Sequence, residues 1–148
     1  METIVTMTII GIVATAAMNC FLWLITGLTQ TQCDMVRAVG AIYTHDEKNS
    51  LLPGLIMQFT AGLIAAYVYG VFLEAFAWKA SYAYAGMGLA MGLIHGIAVS
   101  IVLAKLLGEH HPVEHFQKVS TRSALAHVLA HMLYGFIIGA MYGTYMAF

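Results

Sequence analysis

Six of the chain's seven histidines fall between His95 and His131. Imidazole titrates nearest neutral pH and is the commonest metal-binding side chain. His127 and His131 stand four residues apart, so on an α-helix one lies above the other, and HxxxH spacing of this kind forms one side of a metal site. His95 precedes the end of one apolar run by about twelve residues, and His131 follows the start of the next by about ten. With a rise of about 1.5 Å per residue, two antiparallel helices would hold these rings at similar depth. Between the two runs, Gly108-Glu-His-His-Pro-Val-Glu-His115 adds His110, His111 and His115 beside Glu109 and Glu114.

Three kinds of chemistry suit such a set. Haem b could take His95 and His131 as axial ligands, with Gly92, Gly96 and Gly135 making room for a flat porphyrin. A transition metal (zinc, iron or copper) could be held by His127, His131 and His95, with His110, His111 and His115 as further ligands from the loop. A proton or metal-ion path could use the same imidazoles. The plainer alternative is that buried histidines hydrogen-bond across helices and loop histidines are solvated. Gln58 and Glu74, at the two ends of a row of small residues, and Asn19 are further polar groups inside apolar runs. His45, Asp46 and Glu47 read as a solvated turn. Cys20 and Cys33 form no CxxC or zinc pattern.

The elements that must position these groups are membrane helices. The chain is 61% hydrophobic and 9% charged, with a mean hydropathy of +0.82; a water-soluble domain is about a quarter charged. Four apolar runs, 4–28, 51–78, 82–107 and 120–147, each exceed the roughly 20 residues needed to cross a hydrocarbon core. The predicted fold is all-α: an antiparallel four-helix transmembrane bundle with short loops, forming a single membrane domain. Each run carries small or weakly polar residues at every fourth position: Gly11, Thr15 and Asn19; Gln58, Gly62, Ala66, Gly70 and Glu74; Gly88, Gly92, Gly96 and Ser100; Ser123, His127, His131, Gly135, Gly139, Gly143 and Ala147. Such ridges let backbones approach closely in lipid. The few residues between the second and third runs make those two antiparallel neighbours.

Between the first two runs, Asp34 can cap a short interfacial helix with Met35, Val36, Val39, Ile42 and Tyr43 on its apolar side. Gly108 suits a helix stop, Pro112 and Glu114 a short new helix, and Ser120 a cap for the last run. Arg37, Lys48, Lys105, Lys118 and Arg122 fall on the loop side and Lys79 alone on the terminal side. That bias predicts cytoplasmic loops and both termini outside.

The segments Gly92-Leu-Ile-His95-Gly96, Glu109-His-His-Pro112 and His127-Val-Leu-Ala-His131-Met-Leu-Tyr134-Gly135, with Gly11, Ala14-Thr15 and Met18, resemble a family of small four-span prokaryotic membrane proteins. The resemblance covers most of the chain and implies a fold but no activity or catalytic residues. EHHPVEH and HVLAH look like two of the histidine boxes of membrane di-iron oxygenases, but a third box is missing. Six Lys and Arg make no nucleic-acid-binding patch, and there is no nucleophile constellation or phosphate loop. The expected partners are the lipid bilayer and either other membrane subunits or further copies of the chain. The expected function is a non-catalytic accessory subunit of a larger, redox-type membrane complex, with an intramembrane histidine site for haem or a transition metal. The alternative is a small metal-ion or proton transporter or channel acting as an oligomer.

Overall fold

A computed structural model describes residues 2–29, 34–76, 80–117 and 120–146. The described residues are all-α: α1 (Glu2–Thr29), α2 (Met35–Thr44), α3 (Leu51–Glu74), α4 (Ser81–His110) and α5 (Thr121–Tyr145), with a short 3-10 turn at Glu114–Gln117. Four of them, α1, α3, α4 and α5, are long and apolar enough to cross a membrane. Their outer faces present Ile4, Leu24, Ile56, Ile64, Val71, Ile94 and Leu125 largely exposed, which in an integral membrane protein is the surface that lipid covers.

The small-residue ridges meet one another in two antiparallel pairs. Between α1 and α3, Met7 faces Gly70, Gly11 faces Ala66, and Thr15 faces Gly62. One step further along the same register, the Gln58 amide donates to Asn19 Oδ1 at 3.4 Å. Between α4 and α5, Gly88 lies against Gly135, Gly92 against His131, Tyr84 against Gly139 and Ser81 against Gly143. Here the approach is backbone to backbone: a Cβ on Gly135 would overlap the Gly88 carbonyl oxygen and lie 3.0 Å from Gly92 Cα. Lipid tails are as apolar as side chains, so helices associate in membranes through such close packing rather than by escaping water. α5 is the hub. Its Ala126, Ala130, Tyr134, Ile138 and Tyr142 join Met7, Ile10, Ala14, Met18 and Leu22 of α1 in the main core.

The expected pairing of the second and third spans is only partly realised. α3 and α4 are successive, but α3 packs chiefly on α1 and α2, and α4 chiefly on α5. The ridges explain this: each of these helices spends its small-residue row on a different partner. An apolar groove of about 480 Å³ therefore runs between α3 and α4, lined by Ile64, Val68, Phe72, Met91 and Ile94, with Tyr69 and His95 also bordering it.

Helix ends follow local chemistry. The Asp34 carboxylate accepts from Arg37 N at 3.0 Å and caps α2; Ser120 Oγ accepts from Ser123 N and caps α5. α4 continues past Gly108 and ends at His110. The stop comes from Pro112, which disfavours the α conformation at His111, found extended at ψ 130. The apolar run expected to reach residue 78 is helical to Glu74, and Trp78 and Lys79 lie outside the described residues. Ala147 of the last ridge lies outside them too.

The sequence pattern places α2 in the interface with Ile42 and Tyr43 on its apolar side. Instead its buried side is Met35, Val36, Ala38, Gly40 and Ala41, while Tyr43 is 67% exposed. Small residues win because α2 packs on protein: a Cβ on Gly40 would overlap the Ser50 carbonyl, and one on Gly54 the Val36 carbonyl. His111, 3% exposed, fastens this helix from the other side. Its Nε2–H donates to Ala38 O at 2.8 Å, and its Nδ1 accepts from Val113 N at 3.1 Å. His111→Ala should remove both bonds, cost about 2 kcal/mol, and speed amide exchange in residues 35–44 while leaving the four spans protected.

Candidate functional site

The structure brings together the three histidines of the spans. His127 and His131 follow each other up one face of α5, with ring centroids 4.5 Å apart. His95 of α4 meets His131 edge-on at 4.8 Å and 75°. The glycines of α4 make this possible: a Cβ on Gly92 would overlap His131 O, and one on Gly96 would stand 2.9 Å from His131 Cβ. Tyr69 of α3 approaches from the groove, its hydroxyl 3.3 Å from His95 Nδ1, and its ring meets Tyr134 edge-on at 5.7 Å. The Tyr134 hydroxyl donates to Gly62 O at 2.5 Å. One layer of polar side chains thus joins α3, α4 and α5.

Hydrogen bonding sets the roles of two imidazoles. His131 Nδ1 lies 3.0 Å from the His127 carbonyl oxygen. That oxygen only accepts, so Nδ1 carries the proton, and neutral His131 keeps its Nε2 lone pair for a ligand. His127 is different. It is 2% exposed, and neither Nδ1 nor Nε2 has a hydrogen-bond partner among the described residues. A buried polar group left in that state costs about 1–3 kcal/mol. Asn19 Nδ2 is the other buried side-chain nitrogen without a partner among the described residues.

These histidines border a cavity of about 210 Å³ beneath α2, which Gln58, Met18, Met35 and Met57 also line. Among the described residues, no Asp, Glu or Cys lines it. Towards the terminal ends of the spans the core consists of Met7, Ile10, Leu73 and Ile138 with the rings of Tyr84 and Tyr142.

The remaining sequence candidates are not gathered here. His111 is the fastener of α2, His110 is exposed at the end of α4, and His115 is exposed with its ring edge-on to Phe116 at 4.8 Å. The expectation that these three join the deep histidines as metal ligands is not met: α4 ends at His110, Pro112 and the 3-10 turn follow, and none of the three lines the cavity. The side chain of Glu109 lies outside the described residues. His45 ends α2 in the left-handed conformation at φ 52, and Asp46 accepts from Lys48 N and the Asn49 amide, as a turn requires. Glu74 is exposed at the end of α3, and Cys20 faces outward; Cys33 lies outside the described residues.

Among the described residues, no group of three or more His, Cys, Asp or Glu side chains has the arrangement of a metal site. The three rings touch through edges and faces, so a shared ion would require ring rotation and donors of another kind. Haem b does not fit between His95 and His131. Imidazoles on opposite faces of a porphyrin iron, each bonded at about 2 Å, hold their ring centres farther apart than the 4.8 Å found. The glycines expected to admit the porphyrin are covered by the facing helix backbone.

Sequence reasoning assigns no site role to Tyr69, Tyr134 or the three cavity methionines. Tyr134 follows His131 by three positions, and Tyr69 follows Gly62 by seven, so helical periodicity places both on the inner face. Methionine carries no comparable signal, because it is ordinary core filling. Comparison with family models, with curated proteins and with solved structures finds no match to this chain.

Proposed function

We propose that this integral membrane protein is a non-catalytic subunit of a larger membrane assembly, and that it holds a transition-metal ion at His127 and His131 with His95 beside them. The observation that carries this is His127: an imidazole with both nitrogens unpartnered, 2% exposed, facing a cavity next to a second imidazole whose Nε2 lone pair is free. Interhelical hydrogen bonding does not account for it, since His127 makes none among the described residues. The core towards the terminal ends holds no charged side chain among the described residues, which favours a closed site over an ion conduit. The described segments outside the spans are α2 and short connections, which suits a subunit that works through its membrane faces.

Metal binding would stabilise the folded state by mass action, about 2.7 kcal/mol at an ion concentration 100 times Kd. Thermal unfolding of the purified protein should therefore rise with added metal, and the rise should vanish in a His127→Leu variant. An identical rise in both would sink the assignment of His127.

The charge bias supports cytoplasmic loops. Lys48 is exposed in the turn after α2. With Cys20 and Cys33 replaced, a Lys48→Cys variant in intact cells should resist an impermeant thiol reagent until the membrane is opened. Ready labelling would reverse the orientation.

A further inference from the structure

The cavity beneath α2 draws at least one potential ligand from every helix. His127 and His131 come from α5 and His95 from α4; Met18 comes from α1, Met35 from α2 and Met57 from α3. Resting on the metal-binding reading above, we infer that the ion is monovalent copper, held jointly by imidazole nitrogen and methionine sulfur.

Two properties of the lining select it. The first is softness. Thioether sulfur is a weak partner for zinc, iron or magnesium and a good one for Cu(I), and imidazole serves copper as well. The second is charge. Among the described residues the lining has no carboxylate or thiolate, so the charge of any ion stays uncompensated by the protein. The cost of holding an ion in a low-dielectric interior grows with the square of its charge, which makes a divalent ion about four times as costly as a monovalent one. A neutral cage therefore discriminates for +1 before any ligand preference is counted. Cu(I) also accepts two or three ligands without a fixed polyhedron, which suits a cage whose imidazoles must turn to meet the ion. Met35 lies on the cap formed by α2, so loading would tie that helix to the bundle.

Methionines can also serve as core filling, and leucine does that equally well at nearly the same volume. The test uses the full-length protein in detergent, under reducing conditions without oxygen. Cu(I) is offered from a coloured chelator, and Zn(II) is offered separately. Wild type should strip Cu(I) from the chelator, and the Met18→Leu/Met35→Leu/Met57→Leu variant should bind it at least about 100-fold more weakly. X-ray absorption on the copper-loaded wild type, which requires no variant, should show sulfur as well as nitrogen bonded to copper.

A copper shell of nitrogen or oxygen alone, unchanged binding in the leucine variant, or preference for Zn(II) would overturn the copper assignment while leaving a histidine metal site standing. Failure of both ions to bind the wild type would overturn the metal-binding reading itself, and the copper assignment with it.

Discussion

Gly135→Leu should prevent α4 and α5 from assembling, and even Gly135→Ala should cost about 1–3 kcal/mol. The reason is the type of atom a side chain would meet. Its Cβ would overlap the Gly88 carbonyl oxygen, with Gly92 Cα at 3.0 Å. These are backbone atoms of a helix, which cannot rotate aside as a side chain can. Relief requires the two helices to move apart, and that separation weakens the dispersion attraction along the seam, which is what holds helices together in lipid. Gly139, against the Tyr84 carbonyl, should behave in the same way. The neighbour Phe136 is 45% exposed, so Phe136→Leu should leave assembly intact. Thermal unfolding and monodispersity in mild detergent measure the difference. The same seam sets the depth of His95 against His131, so the alanine variant should also weaken metal binding without touching a ligand.

His127→Leu should have two effects of opposite benefit. In metal-free protein it should raise stability by about 1–3 kcal/mol, because it replaces a buried polar ring without partners by an apolar side chain of similar size. In the presence of metal it should abolish loading. A histidine retained only for packing or for an interhelical hydrogen bond predicts the reverse sign for stability, since its loss would then remove an interaction. Chemical denaturation of chelator-treated protein, set beside metal uptake by the same preparations, reads both effects. Lower stability in the metal-free variant would show that His127 has a structural partner.

The rows of small residues at every fourth position make the fold legible. Gly11, Thr15 and Asn19 meet Ala66, Gly62 and Gln58, and Gly88 and Gly92 meet Gly135 and His131, because in lipid a missing side chain has value only where another backbone approaches. Which ridge would choose which is not legible. Short connection favours α3 with α4, yet close packing pairs α3 with α1 and α4 with α5. Equal depth of His95 and His131 follows from helical rise, and their rings do meet. The position of His111 cannot be read in the same way. In sequence it is one of three loop histidines, and only the folded position of α2 supplies the Ala38 carbonyl that accepts its N–H. Met18, Met35 and Met57 lie on three separate helices, so no local spacing could show that they share one cavity.

Metal content decides whether the paired histidines of α5 hold an ion. Protein extracted gently from the membrane that natively holds it, washed with a weak chelator and analysed by mass spectrometry of its elements, should carry one transition-metal ion per chain, while His127→Leu prepared identically should carry none at equal folded yield. Wild type without stoichiometric metal, or equal content in the two proteins, would rule out a metal site at His127.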